Sequence, residues 1–507
     1  MTLAAETPRI LAPAQADHRW LWLGAGAALS LVAVGGRWDL PLAAWLAPVA
    51  LLRFARLSAP GMGVGLVWIV SMISALFWIW QMAVPVNAIT LLAGGVFGTV
   101  ATLPYLLDRL AAAQLGSIGR LMLFPAALAA CEFLMATFSP LGTAYGLHAV
   151  TQRDNLALMQ VISLTGPYAI GFLIGWLATV ANDALEKGWD WRRVRGAAVS
   201  YAAVLLAVIA GGEARLAIAP APLSQTVRIA GISPSTAAVA PLYKVLGAPP
   251  QADADAQKVD PAALRAASQP AVDELLANTR LAAARGAKIV LWSENAATLP
   301  EADVPALMAA AQAVARSEKI YLSIAVKTYL NAPPYGSDAT HMIGPDGQVL
   351  WTYHKARPIP GLEGYTPGGA PAPVIDTPYG RVANVICYDA DFPALMGVET
   401  DIMLVPGGDW PEMGRVHTGM ASLRAIENGY ALFRQDYIGH SAAFDYQGHV
   451  LAAQDTTGPD AYMLVADVPT RSAVTLYRLT GDVFAWACVL AVLSLLLQSG
   501  ARRRRTA

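Results

Sequence analysis

The chain is short of charge. Asp, Glu, Lys and Arg make up 14% of its 507 residues, against 55% hydrophobic residues, which excludes an ordinary soluble enzyme and a charged disordered chain. The net charge is −1, so overall charge implies no nucleic acid or other polyanion as partner. Cysteine is scarce: there are three, an odd number with no CxxC pair, which excludes a disulfide framework. Cys131 and Cys488 lie in apolar runs, where cysteine acts as a small hydrophobe, leaving Cys387 as the one thiol in the polar half. No cluster of residues has metal-ligand spacing, and no cofactor is implied. Residues Met1 to Asp17 lack the charged–apolar–small pattern of a cleaved signal peptide, so the first apolar run is read as structure.

Long apolar runs are abundant, and mean hydropathy is +0.44. A helix spans a bilayer with about 17–25 mostly apolar residues. Seven runs are candidates before the polar half: Trp20–Gly36, Leu40–Leu52, Gly61–Val84, Ala88–Leu107, Leu121–Phe138, Val161–Ala181 and Ala197–Gly211, of which the second is short and reads equally as tilted, re-entrant or mis-bounded. An eighth covers Gly481–Gln498. The expected organisation is a tail at 1–19, a seven-helix transmembrane domain at 20–215, a polar domain at 225–470, a transmembrane helix at 478–499 and a basic tail at 500–507. Basic residues cluster on one side of this pattern: Arg9 and Arg19, Arg53 and Arg56, Arg109 and Arg120, Lys187 with Arg192, Arg193 and Arg195, then Arg502–Arg505. The opposite loops hold only Arg37 and Arg153. By the positive-inside rule the basic side is cytoplasmic and the polar domain lies outside, in the periplasm of a Gram-negative cell, facing its inner membrane. Glu132, inside a span, and the loop Ser139–Gly146 are assigned to packing.

From Gln225 short apolar runs alternate with helical spacing, which predicts a layered α/β sandwich. Pro234–Pro261 reads as a loop. Pro345-Asp346-Gly347 joins a hairpin. Three apolar runs deliver an ionisable side chain at or just beyond a strand end: Ile289–Trp292 leads to Glu294, Val349–Tyr353 to Lys355, and Val385–Ile386 to Cys387. A thiolate is the reactive form of cysteine, and a nearby carboxylate, Glu294 or Asp389, can take its proton. Lys355 supplies a cation for a developing oxyanion. A Cys–His site with His354, His417 or His440 as base is the competing reading. Pro358–Thr366 and Asp409–His417, rich in Gly, Pro and aromatics, are lid candidates.

These residues resemble the nitrilase superfamily, whose Glu–Lys–Cys triad sits on an αββα sandwich. Ser293-Glu294-Asn295, Tyr353-His354-Lys355 with Glu363-Gly364-Tyr365, and Ile386-Cys387-Tyr388-Asp389 match its motifs. Seven spans before such a domain and one after it are similar to the membrane-bound branch, the apolipoprotein N-acyltransferase family. Gly166-Pro167-Tyr168, Asp409-Trp410, His417, Arg424–Glu427 and Thr475–Tyr477 extend the likeness. The resemblance implies Glu294 as base, Lys355 with the Tyr388 N–H as oxyanion donors, Cys387 as nucleophile, and Glu363 and Asp389 in support. Trp410, His417 and Tyr365 are the implied substrate contacts. A membrane phospholipid is the implied acyl donor, and the amine of a diacylglyceryl-modified apolipoprotein is the implied acceptor. Ser293 before Glu294, the loop Ala356–Gly369 and Gly407-Gly408-Asp409 depart from that family's usual residues, the loop toward soluble amidases. A membrane-tethered amidase is therefore the alternative, and a non-catalytic scaffold or transporter is a third.

Overall fold

The computed structural model describes residues 18–218, 225–247, 253–369, 371–458 and 462–506. The expected tail before residue 18, with Arg9, lies outside them, as do parts of the linker after residue 218 and of the Pro-rich stretch near residue 250.

The membrane half contains α1 (Arg19–Leu31), α2 (Pro41–Leu57), α3 (Pro60–Gln81), α4 (Ala88–Ala111), α5 (Ser117–Phe138), α6 (Tyr168–Glu186) and α7 (Trp191–Ile218). Among the described residues six helices are long and apolar enough to cross a membrane: α3 to α7 and the C-terminal helix Val483–Thr506. The first two expected spans form shorter helices of 13 and 17 residues. Local chemistry sets the ends. Asn87 accepts hydrogen bonds from the Ile89 and Thr90 N–H groups and Thr90 accepts one from Asn87, a reciprocal cap that starts α4. A buried Arg56–Asp108 ion pair at 2.7 Å ties α2 to α4.

The expected sixth span is broken. A helical turn, Ile162–Thr165, ends at Gly166 with φ +72°, and α6 restarts after Pro167. A Cβ at Gly166 would stand 2.7 Å from the Tyr477 ring, so both backbone sign and space demand glycine. Glu132 of α5 pairs with His148 and accepts its backbone N–H at 3.1 Å, which anchors the segment His148–Gln152.

The polar half is an αββα sandwich. Its strands are β1 (Thr226–Ile232), β2 (Ile289–Trp292), β3 (Ala297–Pro300), β4 (Tyr321–Tyr329), β5 (Gly336–Ile343), β6 (Val349–His354), β7 (Val374–Thr377), β8 (Gly380–Asn384), β9 (Ile402–Gly407), β10 (Ala431–Asp436), β11 (His440–Phe444), β12 (Val450–Asp455) and β13 (Met463–Pro469). One sheet runs β13-β1-β2-β4-β5-β6 with β3 beside β4, and the other runs β12-β11-β10-β9-β8-β7. Their inner faces share a core that includes Ile229, Leu291, Met342, Tyr353, Ile386, Leu404 and Phe433. Helices α9 (Pro261–Ala284) and α10 (Val304–Glu318) cover the first sheet, and α11 (Gly414–Asn428) covers the second. Strands β2, β9 and β10 are buried on both faces, which is why they appear in sequence as unbroken apolar runs.

One expectation fails here. The stretch read as a loop from Pro234 contains α8 (Thr236–Leu246), capped by Ser235 and burying Ala238, Val239 and Leu242. Ser235 is itself held by Glu274 of α9, at 2.6 Å from both its N–H and its hydroxyl. The stabilising partner is 39 residues away, beyond the reach of a local reading.

Candidate active site

Three strand ends converge. Glu294 follows β2, Lys355 follows β6, and Cys387 follows the extended pair Val385-Ile386 beyond β8. Cys387 opens a 3-10 turn, Cys387–Asp391, rather than ending a strand. Its φ is +47°, a left-handed conformation that costs a non-glycine residue on the order of 1 kcal/mol or more. Asp389 holds this turn. Its carboxylate accepts from the Ile386 N–H (3.1 Å), the Arg357 N–H (2.7 Å) and the Tyr353 hydroxyl (2.9 Å). The supporting role therefore has a form: Asp389 pins the cysteine turn to the lysine strand. Burial pushes its carboxyl up to about 6, against those donors and Lys355.

Lys355 Nζ donates to Glu294 Oε1 and Glu363 Oε1, each at 2.6 Å, and lies 4.0 Å from Asp338 Oδ2. Lys355 and Glu294 are 1% and 2% exposed. Burial disfavours the Lys355 ammonium, but the two glutamates outweigh it and hold its pKa well above the ordinary value. Burial pushes Glu294 up, yet Lys355 prevails and leaves it below the ordinary carboxylate value. The Cys387 thiol is pushed up to about 12, first by burial and then by the Glu294 charge, with Lys355 opposing. A Cβ on Gly408 would stand 2.6 Å from Glu294 Oε2. The glycine departure noted at 407–408 thus makes room for the carboxylate.

A second charged cluster flanks the sulfur. Asp409 Oδ1 lies 3.9 Å from Cys387 Sγ and 2.8 Å from His417 Nδ1. Arg434 Nη2 donates to Asp409 Oδ2 at 2.8 Å and lies 3.8 Å from the sulfur. His417 Nε2 is 3.4 Å from Asp391 Oδ2. Burial works against the imidazolium, but Asp409 and Asp391 raise its pKa well above the ordinary value. Burial likewise opposes ionised Asp409, and His417 and Arg434 overcome it and hold that carboxyl far down. His417 is thus a clamped cation and a poor base. His354 is at the surface, facing Ser337, and His440 sits at the start of β11. Cys387, Asp409 and His417 place potential ligand atoms within 4.8 Å of one another, a cluster that sequence spacing concealed. Arg434 and Lys355 already supply the positive charge beside those atoms.

Asp391, Asp409 and His417 face a chamber between the two halves. Cys387, its sulfur 3.9 Å from Asp409 Oδ1, is not among the residues lining this chamber. Trp78, Ile79, Phe97 and Leu141 line it from the membrane side, and Ile359, Leu362, Tyr388, Trp410 and Met413 from the catalytic side, with Asp391, Asp409 and His417 at the polar end. Trp410 Nε1 donates to the Met82 carbonyl (2.6 Å) and Asn87 Nδ2 to the Gly361 carbonyl (3.3 Å), so both lid candidates are clasped to the membrane helices. The loop Ser139–Gly146 joins them: the Thr143 N–H donates to the Asp391 carbonyl at 2.9 Å. Tyr365 is not among the chamber's lining residues; its ring lies 5.5 Å from Lys327 Nζ. Sequence reasoning missed Arg434, Asp391, Asp436 and Asp338. Arg434 and Asp436 did carry a signal, since they close the apolar run Ala431–Phe433 as Glu294 closes β2.

Fold and site together define a carbon–nitrogen hydrolase domain mounted on a membrane helix bundle. Residues 249–476 match the carbon-nitrogen hydrolase family, and residues 24–180 match the apolipoprotein N-acyltransferase N-terminal domain. The chain is 26% identical over 410 residues to an apolipoprotein N-acyltransferase of Geobacter metallireducens, covering 73% of each chain. It is 25% identical over 361 residues to one of Rhizobium meliloti, covering 62% of this chain and 64% of that one. A solved amidase from Nesterenkonia sp. is 20% identical, with a TM-score of 0.38, covering 50% of this chain and 94% of that one. The chain belongs to the apolipoprotein N-acyltransferase family, a membrane-bound branch of the nitrilase superfamily.

Proposed function

We propose that this membrane enzyme moves a fatty acyl chain from a phospholipid, through a thioester on Cys387, to the N-terminal amine of a diacylglyceryl-modified apolipoprotein. The observation that carries this reading is the chamber, whose apolar walls come from membrane helices on one side and the cysteine domain on the other. Each buried CH₂ of an acyl chain contributes about 0.8 kcal/mol, so such a space suits a lipid donor better than a water-borne amide. In this reading residues 225–470 are the catalytic unit, and residues 20–215 with 478–499 hold it at the bilayer. The one-sided Lys and Arg pattern supports the periplasmic face of the inner membrane as its location.

Cys387 attacks the ester carbonyl as Glu294 takes the thiol proton. With the thiol pushed up to about 12 and Glu294 held low, no thiolate stands at rest. Proton transfer therefore accompanies C–S bond formation. Lys355 and the Tyr388 N–H stabilise the oxyanion, and Glu294 returns the proton to the departing lysophospholipid oxygen. The lipoprotein amine then attacks the thioester, Glu294 takes its proton, and the Cys387 sulfur leaves and is reprotonated. The test is incubation of detergent-solubilised protein with acyl-labelled phospholipid, followed by a diacylglyceryl peptide. Label is expected on Cys387 and then on the peptide amine. Label that never reaches Cys387, or that persists on Cys387→Ala, defeats the reading; transfer to water in place of the peptide favours the amidase.

A further inference from the structure

Around Lys355 there is one carboxylate too many. Glu294 and Glu363 each receive a hydrogen bond from the ammonium at 2.6 Å, and Glu363 also accepts the Ile359 N–H at 2.7 Å. Asp338 of β5 is the third. Its side chain is fully buried, and neither carboxyl oxygen has a hydrogen-bond partner among the described N–H and O–H groups. The nearest cation, Lys355 Nζ, stands 4.0 Å away and is already shared by the two glutamates. Lys327, paired with Asp338 across β4 and β5, sends its ammonium over the Tyr329 and Tyr365 rings. Three ionised carboxylates against one ammonium would leave two uncompensated charges out of water, and a buried group in that position takes up a proton instead. The proton belongs on the carboxyl with no donor of its own, which is Asp338. Once protonated, it has an acceptor in reach: the Glu294 carboxylate, whose Oε1 lies 2.6 Å from the same Lys355 Nζ that stands 4.0 Å from Asp338 Oδ2.

We infer that Asp338 carries a resident proton and donates it as a hydrogen bond to Glu294, which makes Asp338 a positioning residue for the base. The inference rests on Glu294 being that base. With the Lys355 ammonium on Oε1, a hydrogen bond from Asp338 gives the Glu294 carboxylate a second fixed partner and so holds its rotamer. The same residue also sets the cation, since the Asp338 carbonyl accepts the Lys355 backbone N–H at 3.0 Å. Burial first, then the Glu294 charge, raises the Asp338 carboxyl well above its ordinary value, in keeping with this placement.

The test compares Asp338→Asn and Asp338→Ala in the full-length, detergent-solubilised chain. An asparagine amide donates to Glu294 as the acid does, so Asp338→Asn is expected to keep the rate of Cys387 acylation by labelled phospholipid within about 3-fold of wild type. Asp338→Ala removes the donor and is expected to lose about 100-fold. The wild-type-minus-Asp338→Asn infrared difference spectrum at neutral pH should show the carbonyl band of one protonated carboxylic acid. The inference is overturned if Asp338→Asn falls as far as Asp338→Ala, if Asp338→Ala matches wild type, or if that difference band is absent. The infrared comparison requires no turnover. Wild type that is never acylated therefore counts against the acyltransfer reading, while the band still decides where the proton sits.

Discussion

Two charged clusters press on the same sulfur, and they differ in what their carboxylates can still accept. On one side Glu294 shares a single ammonium with Glu363 and has Asp338 beside it, so negative charge is in excess. On the other side Asp409 is met by His417 and Arg434, each at 2.8 Å. Both cations there point at the carboxylate, and its proton affinity falls far below that of an ordinary carboxylate. Closeness to a thiol therefore does not make a base. A carboxylate with a shared partner can take the cysteine proton, whereas one saturated by two cations organises the site without turning over. The histidine that composition alone would nominate as base is spent as a counterion.

The largest expected effect lies in the first cluster. Cys387→Ala should abolish acyl-thioester formation, and Glu294→Gln should lower its rate by about 10³-fold or more, read by acyl-label incorporation. Lys355→Met follows: about 10²–10³-fold from the lost oxyanion donor, with about 3–5 kcal/mol of stability lost because two buried glutamates lose their cation. Denaturant unfolding in detergent separates the two losses. His417→Gln sharpens the comparison, since a clamped cation should cost no more than about 10-fold in acylation; a loss equal to that of Glu294→Gln would reinstate the Cys–His reading.

The pH dependence of stability tests the second cluster. The folded pKa of Asp409 is depressed, so its contribution is full above about 3.8, the ordinary value, and is lost as pH falls through the lower folded value. The folded pKa of His417 is raised, so its contribution is full below about 6.5 and is lost as pH rises through the higher folded value. His417→Gln should therefore flatten the alkaline decline of the wild-type melting temperature. The smallest effect is expected from Trp410→Ala, which opens the chamber wall and releases the Met82 carbonyl. KM for phospholipid should rise about 3- to 10-fold with kcat little changed.

Lys355 follows β6, an edge strand exposed on one face, and Cys387 opens a turn beyond β8, but Glu294 was conspicuous because β2 is buried on both faces. Such strands appear in sequence as apolar runs, and an ionisable residue closing a run is conspicuous. Arg434 and Asp436 on β10 carry the same signal, closing the apolar run Ala431–Phe433. Nothing local announced Asp338, whose strand alternates in the ordinary way until the fold brings Glu294 beside it. The break at Gly166 was also hidden, because the ring that requires it belongs to Tyr477, near the other end of the chain. Helix α8 was missed because Glu274, which holds its cap, lies on another helix.

By itself the sequence determined an apolar half with one-sided basic loops, a layered α/β half, and ionisable groups that close short apolar runs, because hydropathy and strand burial are local properties of the chain. Only the tertiary structure decided which carboxylates crowd the buried lysine, which histidine is held between two aspartates and where the apolar chamber lies. Proton affinity and cavity shape depend on neighbours brought together through space, across dozens to hundreds of intervening residues.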